Sequence, residues 1–427
     1  MTITDHSLRY QLVNELHARP FPPLQAPSEA AYLAIKEESA AAARDRSKDF
    51  DHLVKLLDHY GAPHPESGAN HYFGDLGKYR IRWESHSEFV SYTIYGDGVS
   101  ETPFDGALFS VFPTEWLAEA PGARITSALI RIELIDENSD GYVAENVEDW
   151  FVSESLAVSR VLDNTAVVAS DFRLDPAGHT RIAVFARPDT GVRRTGRIVT
   201  RLCEIETYKT LSMLGFTRVQ QMSSDLGALD QRLTSMMGQM AGDVSNSEET
   251  LTSLLAISSE LENVLALSSF RFGATQAYEA LVHQRTQIMR EERFGSRQTI
   301  AEFLMRRFDP AMRTVKATED RLQTLSERSR RAGDLLRTMV DVERSAQNQK
   351  LLESMDRRAD LQLRLQRTVE GLSVVAVSYY AVNLAVYILG PVGREVGLSG
   401  LVLTAVVTPV VVGLVWMLIR KIRKDAQ

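Results

Sequence analysis

GLSVVAVSYYAVNLAVYIL, residues 371–389, carries no charge in nineteen residues, and GLVLTAVVTPVVVGLVWMLI, residues 400–419, carries none in twenty. Each is about as long as a helix must be to cross the roughly 30 Å hydrocarbon core of a bilayer. Only the ten residues GPVGREVGLS (390–399) separate them, so the two spans form a tight hairpin. Soluble cores rarely use two adjacent uncharged segments of this length, which sets aside a buried soluble hairpin. Arg420, Lys421, Arg423 and Lys424 follow the second segment, and Arg357, Arg358, Arg364 and Arg367 precede the first. The loop between holds one arginine and one glutamate. The positive-inside rule then places both termini in the cytoplasm and the loop outside. The expectation is a two-span, multi-pass protein of a bacterial-type inner membrane, with the lipid bilayer as its first partner.

The 427 residues are too many for one compact core, so two or more units are expected. The net charge is −8; the tail beyond Ile419 contributes +3, leaving −11 on the rest. An acidic body argues against nucleic acid as a partner and suits repulsion from anionic lipid or attraction of cations. Cys203 is the sole cysteine. That excludes an intramolecular disulfide framework and a cysteine-based zinc cluster, and fits a reducing compartment. The first twenty residues, MTITDHSLRYQLVNELHARP, have no apolar core of a secretory signal.

Working towards the N-terminus, the pattern is helical almost throughout from Arg197. Val219, Met222, Leu226, Leu229, Leu233, Met236 and Met240 alternate spacings of three and four, a heptad seam. A polar interruption at 243–249 is followed by Leu251, Leu254, Leu261 and Leu265, then Phe270, Ala274, Ala277, Leu281 and Ile288. A third stretch runs from Met312, with Val315, Leu322 and Leu336 in one heptad position and Leu325, Ala332, Met339 and Ala346 in another. No proline lies between Pro310 and Pro391, so the last helix runs unbroken into the first span. Some 60 residues of helix before the bilayer make a stalk of roughly 90 Å.

The first 190 residues read differently. Residues 7–18 predict a short amphipathic helix ended by Arg19-Pro20-Phe21-Pro22-Pro23, and residues 28–59 predict a second helical stretch that stops at Gly61-Ala62-Pro63. YRIRWESHSEFVSYTIYG (79–96) predicts a long strand or a bent pair, and ITSALIRIELI (125–135) another strand. VVASDFRL, the turn DPAGH and TRIAVFA (167–186) make a hairpin signal. The expected fold is an α+β cytosolic head with a largely antiparallel sheet (1–196), a long antiparallel, coiled-coil helical stalk (197–369) and a transmembrane hairpin with a basic cytosolic tail (370–427).

This order of parts resembles the CorA-type magnesium transporters, whose signature Y-G-M-N lies at the outer end of the first span. Tyr380-Ala381-Val382-Asn383 stands in the corresponding place here; the tyrosine and asparagine match, and Glu395 is the only acid that follows before the second span. The resemblance, which covers residues 197–424, implies a homo-oligomeric divalent cation channel or transporter, with Mg2+ or another divalent ion as cargo and no other cofactor. NELHARPFPPL (14–24) and WESHSEF (83–89) are similar to a family of bacterial membrane-anchored proteins of unknown function, a resemblance that spans the chain and implies no activity.

Three sets of residues are candidates. Ser373, Tyr380, Asn383 and Tyr387 share one helix face in an uncharged span. A side-chain amide in lipid is costly unless paired, so this stripe either lines a pore or serves as interhelical glue. Glu84, His86 and Glu88 alternate in a predicted strand, where a carboxylate–imidazole–carboxylate row either holds a divalent ion or is a solvated sheet face. His17-Ala18-Arg19-Pro20 is either a docking point or a helix end whose basic groups meet free carbonyls. No Walker loop, G-x-S-x-G, H-E-x-x-H or G-x-G-x-x-G occurs, so no enzyme is expected. The alternative to transport is a membrane-anchored scaffold whose coiled-coil body binds a cytosolic protein. Two helices cannot enclose an aqueous path, so transport demands a homo-oligomer. For the topology, a cysteine in the 390–399 loop, in a Cys203→Ser background, is expected to react with an impermeant maleimide from the outer face; reaction from the inner face alone overturns the orientation.

Overall fold

The computed structural model describes residues 3–10, 12–13, 21–38, 44–136, 138–240, 247–397 and 399–425. They fall in two compact units, one within 1–244 and 252–333, the other within 245–251 and 334–427. Residues 9–10 and 12–13 are helical, in accord with the reading of 7–18; the remainder of that motif up to Pro20 lies outside the described residues.

The first unit is built on a nine-stranded sheet. Its strands are β1 (Ser28–Lys36), β2 (His71–Leu76), β3 (Tyr79–Ser85), β4 (Phe89–Asp97), β5 (Ala123–Leu134), β6 (Ala157–Val161), β7 (Ala166–Ser170), β8 (Thr180–Ala186) and β9 (Glu292–Arg293). Their order is β2-β3-β4-β1-β5-β8-β7-β6-β9, antiparallel throughout except for the parallel pair β5 and β8. The expected hairpins appear as β3–β4 and β7–β8. The reading of 28–59 as helix does not hold over its first third. SEAAYLAIK is alanine-rich, which favours helix locally, yet it is a central strand flanked by β4 and β5 and buried on both faces. A strand covered on both sides loses the apolar–polar alternation by which strands are recognised.

One sheet face carries the helices α1 (Ser47–Tyr60), α2 (Thr114–Ala118) and α3 (Asp140–Trp150). Ala31, Leu33 and Ile35 of β1 pack there with Leu53, Leu56 and Leu57 of α1, Trp83 of β3 and Tyr92 of β4. Further along, Val143, Val147 and Trp150 of α3 pack with Val167, Ala183 and Phe185. His52 of α1 sits inside this layer. Its ring stacks on Trp116 at 3.8 Å, Nε2 donates to the Trp116 carbonyl at 3.0 Å, and Nδ1 accepts from the Tyr92 hydroxyl at 2.9 Å. Both ring nitrogens are thus used by the neutral imidazole, and burial lowers its pKa to about 4.

The opposite face is covered by α4 (Val192–Met240). Tyr32 and Thr207 hydroxyls meet at 2.5 Å, Arg82 donates to Thr200 at 3.0 Å, and Thr126 and Thr180 both donate to Glu206. The helices α5 (Ser247–Ile288), α6 (Ile300–Arg307) and α7 (Asp309–Glu395) follow. Contacts between α4 and α5 pair 204 with 285, 218 with 268 and 232 with 260, which makes them antiparallel. Ser258 with Ser329, and Glu262 with Ser326, set the start of α7 antiparallel to α5. Leu226, Leu229 and Leu233 of the predicted seam are buried, as are Leu254, Leu261, Val315, Leu322 and Leu325. Phe270, expected in the core, is 46% exposed, while Phe272 is fully buried.

The second unit contains two helices long and apolar enough to cross a membrane: the latter part of α7, and α8 (Gly400–Asp425). Small residues on α7 lie between them. Ser378 is buried, and a Cβ added at Gly393 would stand 3.2 Å from Leu403 of α8. Small residues let two helices approach closely where lipid offers no hydrophobic drive between them. Because Gly393 faces Leu403, exposed Val396 is the position for the topology label.

Two measurements test this packing. Leu229→Asp puts a carboxylate among buried leucines and is expected to cost about 3–5 kcal/mol or to unfold the unit, read as a fallen or absent melting transition; a melting temperature equal to wild type shows that the seam is not a core. The second concerns His52. Its folded pKa lies below its unfolded value, so its stability is fully present above about pH 6.5 and is lost as pH falls towards 4. The loss at the acid end is about 3 kcal/mol. Urea midpoints followed by tryptophan fluorescence from pH 7 to 4.5 should fall less steeply in His52→Gln than in wild type.

Candidate functional site

The β3–β4 turn gathers Glu84, His86 and Glu88, but not as a row of ligands. β3 ends at Ser85, so His86 and Glu88 belong to the turn rather than to a strand. All three do face the helices. Glu84 accepts from Arg82 at 3.0 Å, His86 stacks on Phe89 at 4.1 Å, and Glu88 accepts from Arg271 at 2.6 Å and from Tyr278 at 3.1 Å. Each carboxylate is neutralised by its own arginine. Among the described residues no group of three or more His, Cys, Asp and Glu side chains is placed to hold a metal ion. The expected divalent site at Glu84, His86 and Glu88 is therefore corrected to two ion pairs: Arg82–Glu84 within β3, and Glu88–Arg271, which ties the turn to α5. The Glu88 carboxylate and burial together hold the Tyr278 hydroxyl well above its ordinary range, with burial the larger cause.

Beside this turn a crevice opens between the sheet and α4, lined by Tyr32, Arg82, Glu84, Cys203, Glu204 and Tyr208 among others. It has about 20 Å³ of free space, which is room for one water and not for a substrate. Burial pushes the Cys203 thiol far up, so it stays protonated and unreactive. Burial also raises Glu204, against the pull of Arg285 at 2.5 Å. This is a packed polar layer, and nothing in it presents an activated nucleophile.

Phe21–Leu24, the second half of the N-terminal motif, is tied to the start of α4. Leu24 N–H donates to the Val192 carbonyl at 3.0 Å, and the Phe21 ring lies 5.6 Å from the Arg197 guanidinium. Gly196 permits this approach, since a Cβ there would stand 1.7 Å from the Pro22 carbonyl oxygen. The expected role of His17, Arg19 and Pro20 falls outside the described residues.

The polar stripe of the first apolar segment is the remaining candidate. At about 100° per residue, Ser373, Tyr380, Asn383 and Tyr387 lie on the side of α7 opposite the buried Ser378, which is roughly 60° around the helix from Gly393, where α7 meets Leu403 of α8. All four are exposed, Tyr380 by 71% and Tyr387 by 86%. The hairpin therefore buries Ser378 and Gly393 and leaves its polar stripe outward. On the same helix every residue from 344 to 369 is exposed, including Leu351, Leu352, Met355, Leu361 and Leu365. Sequence spacing identifies the stripe as one face; that α8 covers the other face is decided by Ser378, Val407 and Val415, which spacing alone does not single out.

A family model described as a protein of unknown function (DUF3422) matches residues 4–426. No curated protein and no solved structure matches the chain.

Proposed function

The chain belongs to the DUF3422 family of proteins of unknown function, and we propose that it is a two-span integral membrane protein that assembles as a homo-oligomer and conducts a cation along the axis its copies share. The observation that carries this reading is the outward stripe of Ser373, Tyr380, Asn383 and Tyr387, facing away from α8. Lipid offers an amide neither donor nor acceptor, and leaving it unpaired in hydrocarbon costs several kcal/mol. A second copy of the same face satisfies it. Copies arranged around an axis turn four polar side chains per chain toward a common path, with no acidic ring within the apolar segments to bind a divalent ion tightly. The proposed orientation has both termini on the cytoplasmic side of a bacterial inner membrane.

The second reading is a scaffold without transport. The exposed surface of α7 between 345 and 369 favours it, because a long helix with exposed leucines gains stability by packing against another helix. Neither reading assigns enzymatic chemistry, a cofactor or a nucleic-acid partner to the chain.

The two readings separate in liposomes. Purified wild-type protein of known orientation and oligomeric state is expected to pass cations, and Asn383→Leu to abolish the flux while the oligomer persists. Absence of flux through the assembled wild type rejects transport. A monomer in mild detergent rejects both the shared axis and the self-association on which it depends.

A further inference from the structure

The acidic head holds a group of arginines with too few acids to match. Arg197 and Arg201 are one turn apart on α4, both half-buried. Arg285, from the last turn of α5, and Arg290, just beyond it, bring their charges to Arg201, together with that of Glu204. Glu204 is held by Arg285 at 2.5 Å, and Arg290 pairs with Asp163 at 2.8 Å. Four guanidinium groups therefore meet two carboxylates, and both carboxylates are engaged by the outer two arginines.

Arg197 and Arg201 are left over. Arg197 Nε and Arg201 Nη1 are buried atoms with no hydrogen-bond partner among the described residues. Other arginines of the head also carry a buried orphan nitrogen, but Arg44, Arg181 and Arg271 each have a carboxylate on the same guanidinium, Asp49, Asp171 and Glu88 respectively. Among the described residues, the partner of the Arg197 guanidinium is the Phe21 ring, at 5.6 Å. A half-buried guanidinium with no carboxylate bonded to it among the described residues bears a cost of desolvation that is only partly offset, for Arg201 by the more distant charge of Glu204. Burial first, and Arg197 second, weaken the hold of Arg201 on its proton, which is the mark of a cation short of anions.

We infer that Arg197 and Arg201 form a binding site for a phosphate group, completed at its rim by Arg285 and Arg290. A phosphate fits for three reasons. Its charge approaches −2, which matches the local excess of two positive charges. Its oxygens accept from two planar forks at once, the geometry at which arginine outperforms lysine. Four residues apart on α4, the two arginines share one helix face and each feels the other's charge, so one small anion between them serves both. The same chemistry is presented by inorganic phosphate, by a nucleotide and by a phospholipid headgroup. This site does not depend on the transport reading, since it lies wholly within the first unit.

The test uses the full chain in detergent micelles and three probes: inorganic phosphate, adenosine diphosphate and short-chain phosphatidic acid, each against chloride at equal ionic strength. Calorimetry is expected to show saturable binding of at least one probe near one per chain. Arg201→Gln and Arg197→Gln should each weaken it roughly tenfold or more, the scale of one charge-assisted pair. Arg201→Lys keeps the charge but loses the fork and should weaken it as well. Arg321→Gln, an exposed partner of Asp230 elsewhere on the bundle, should leave it unchanged. The probe that binds most tightly names the source of the phosphate. A second readout guards against simple misfolding. Removing an uncompensated charge should leave the melting temperature of Arg201→Gln in phosphate-free buffer no lower than wild type, while the upward shift produced by the probe disappears. Three results overturn the site: no probe binds wild type beyond chloride, both glutamine variants bind as wild type does, or Arg201→Gln melts well below wild type without any probe present.

Discussion

Strand β1 is the constraint on which the head depends. It lies between β4 and β5, and its two faces supply both layers of the unit. Ala31, Leu33 and Ile35 point into the apolar layer under α1, while Tyr32 on the other face reaches Thr207 of α4. Shifting its register by one residue would exchange these sets and place a tyrosine hydroxyl in the apolar layer. The small side chains of Ala30, Ala31 and Ala34 keep the middle of the sheet thin enough for helices to close on both sides.

The two layers hold together by different physics. Under α1–α3 the contacts are mainly apolar and aromatic, with His52 neutral and fully bonded between Trp116 and Tyr92, and with Asp49 held by Arg44 and Arg131 by Glu29 and Glu133. Under α4 the layer is polar and depends on pairing: Arg82 with Glu84, Lys209 with Glu206, Arg271 with Glu88. Buried pairs of this kind contribute little net stability over an apolar layer, yet leaving one partner alone is costly. They therefore specify how the long helices register on the sheet. Arg197 and Arg201 stand out against that rule, which is why their surroundings point to a ligand rather than to packing.

In the membrane proposed for it, the second unit follows a rule set by lipid instead of water. Ser378, Gly393 and their neighbours let α7 and α8 approach, and the polar residues that do not fit between them are turned outward. In water an exposed Asn383 would need no explanation. In hydrocarbon it needs a partner, and that requirement connects the hairpin to self-association and to the proposed path for ions.

Much of this was legible in the chain itself. The two uncharged segments, the heptad seam from Val219 to Met240 and the strands around 79–96, 125–135 and 167–186 all follow from periodicity and composition, which are local properties. Grouping Ser373, Tyr380, Asn383 and Tyr387 on one face also needed only the helical repeat. Tertiary structure alone decided the rest. It made SEAAYLAIK a central strand, because burial on both faces outweighs the helix preference of alanine. It chose Phe272 over Phe270 for the core, two residues apart and equally apolar, because only the packing of α4 and α7 determines which side of α5 is covered. It turned Glu84 and Glu88 from candidate ligands into ion pairs, since Arg271 is 183 residues away from Glu88 in sequence and 2.6 Å away in space. Long-range pairing of charges leaves no local trace, and so neither the neutralised glutamates nor the two unmatched arginines could be recognised until the chain was folded.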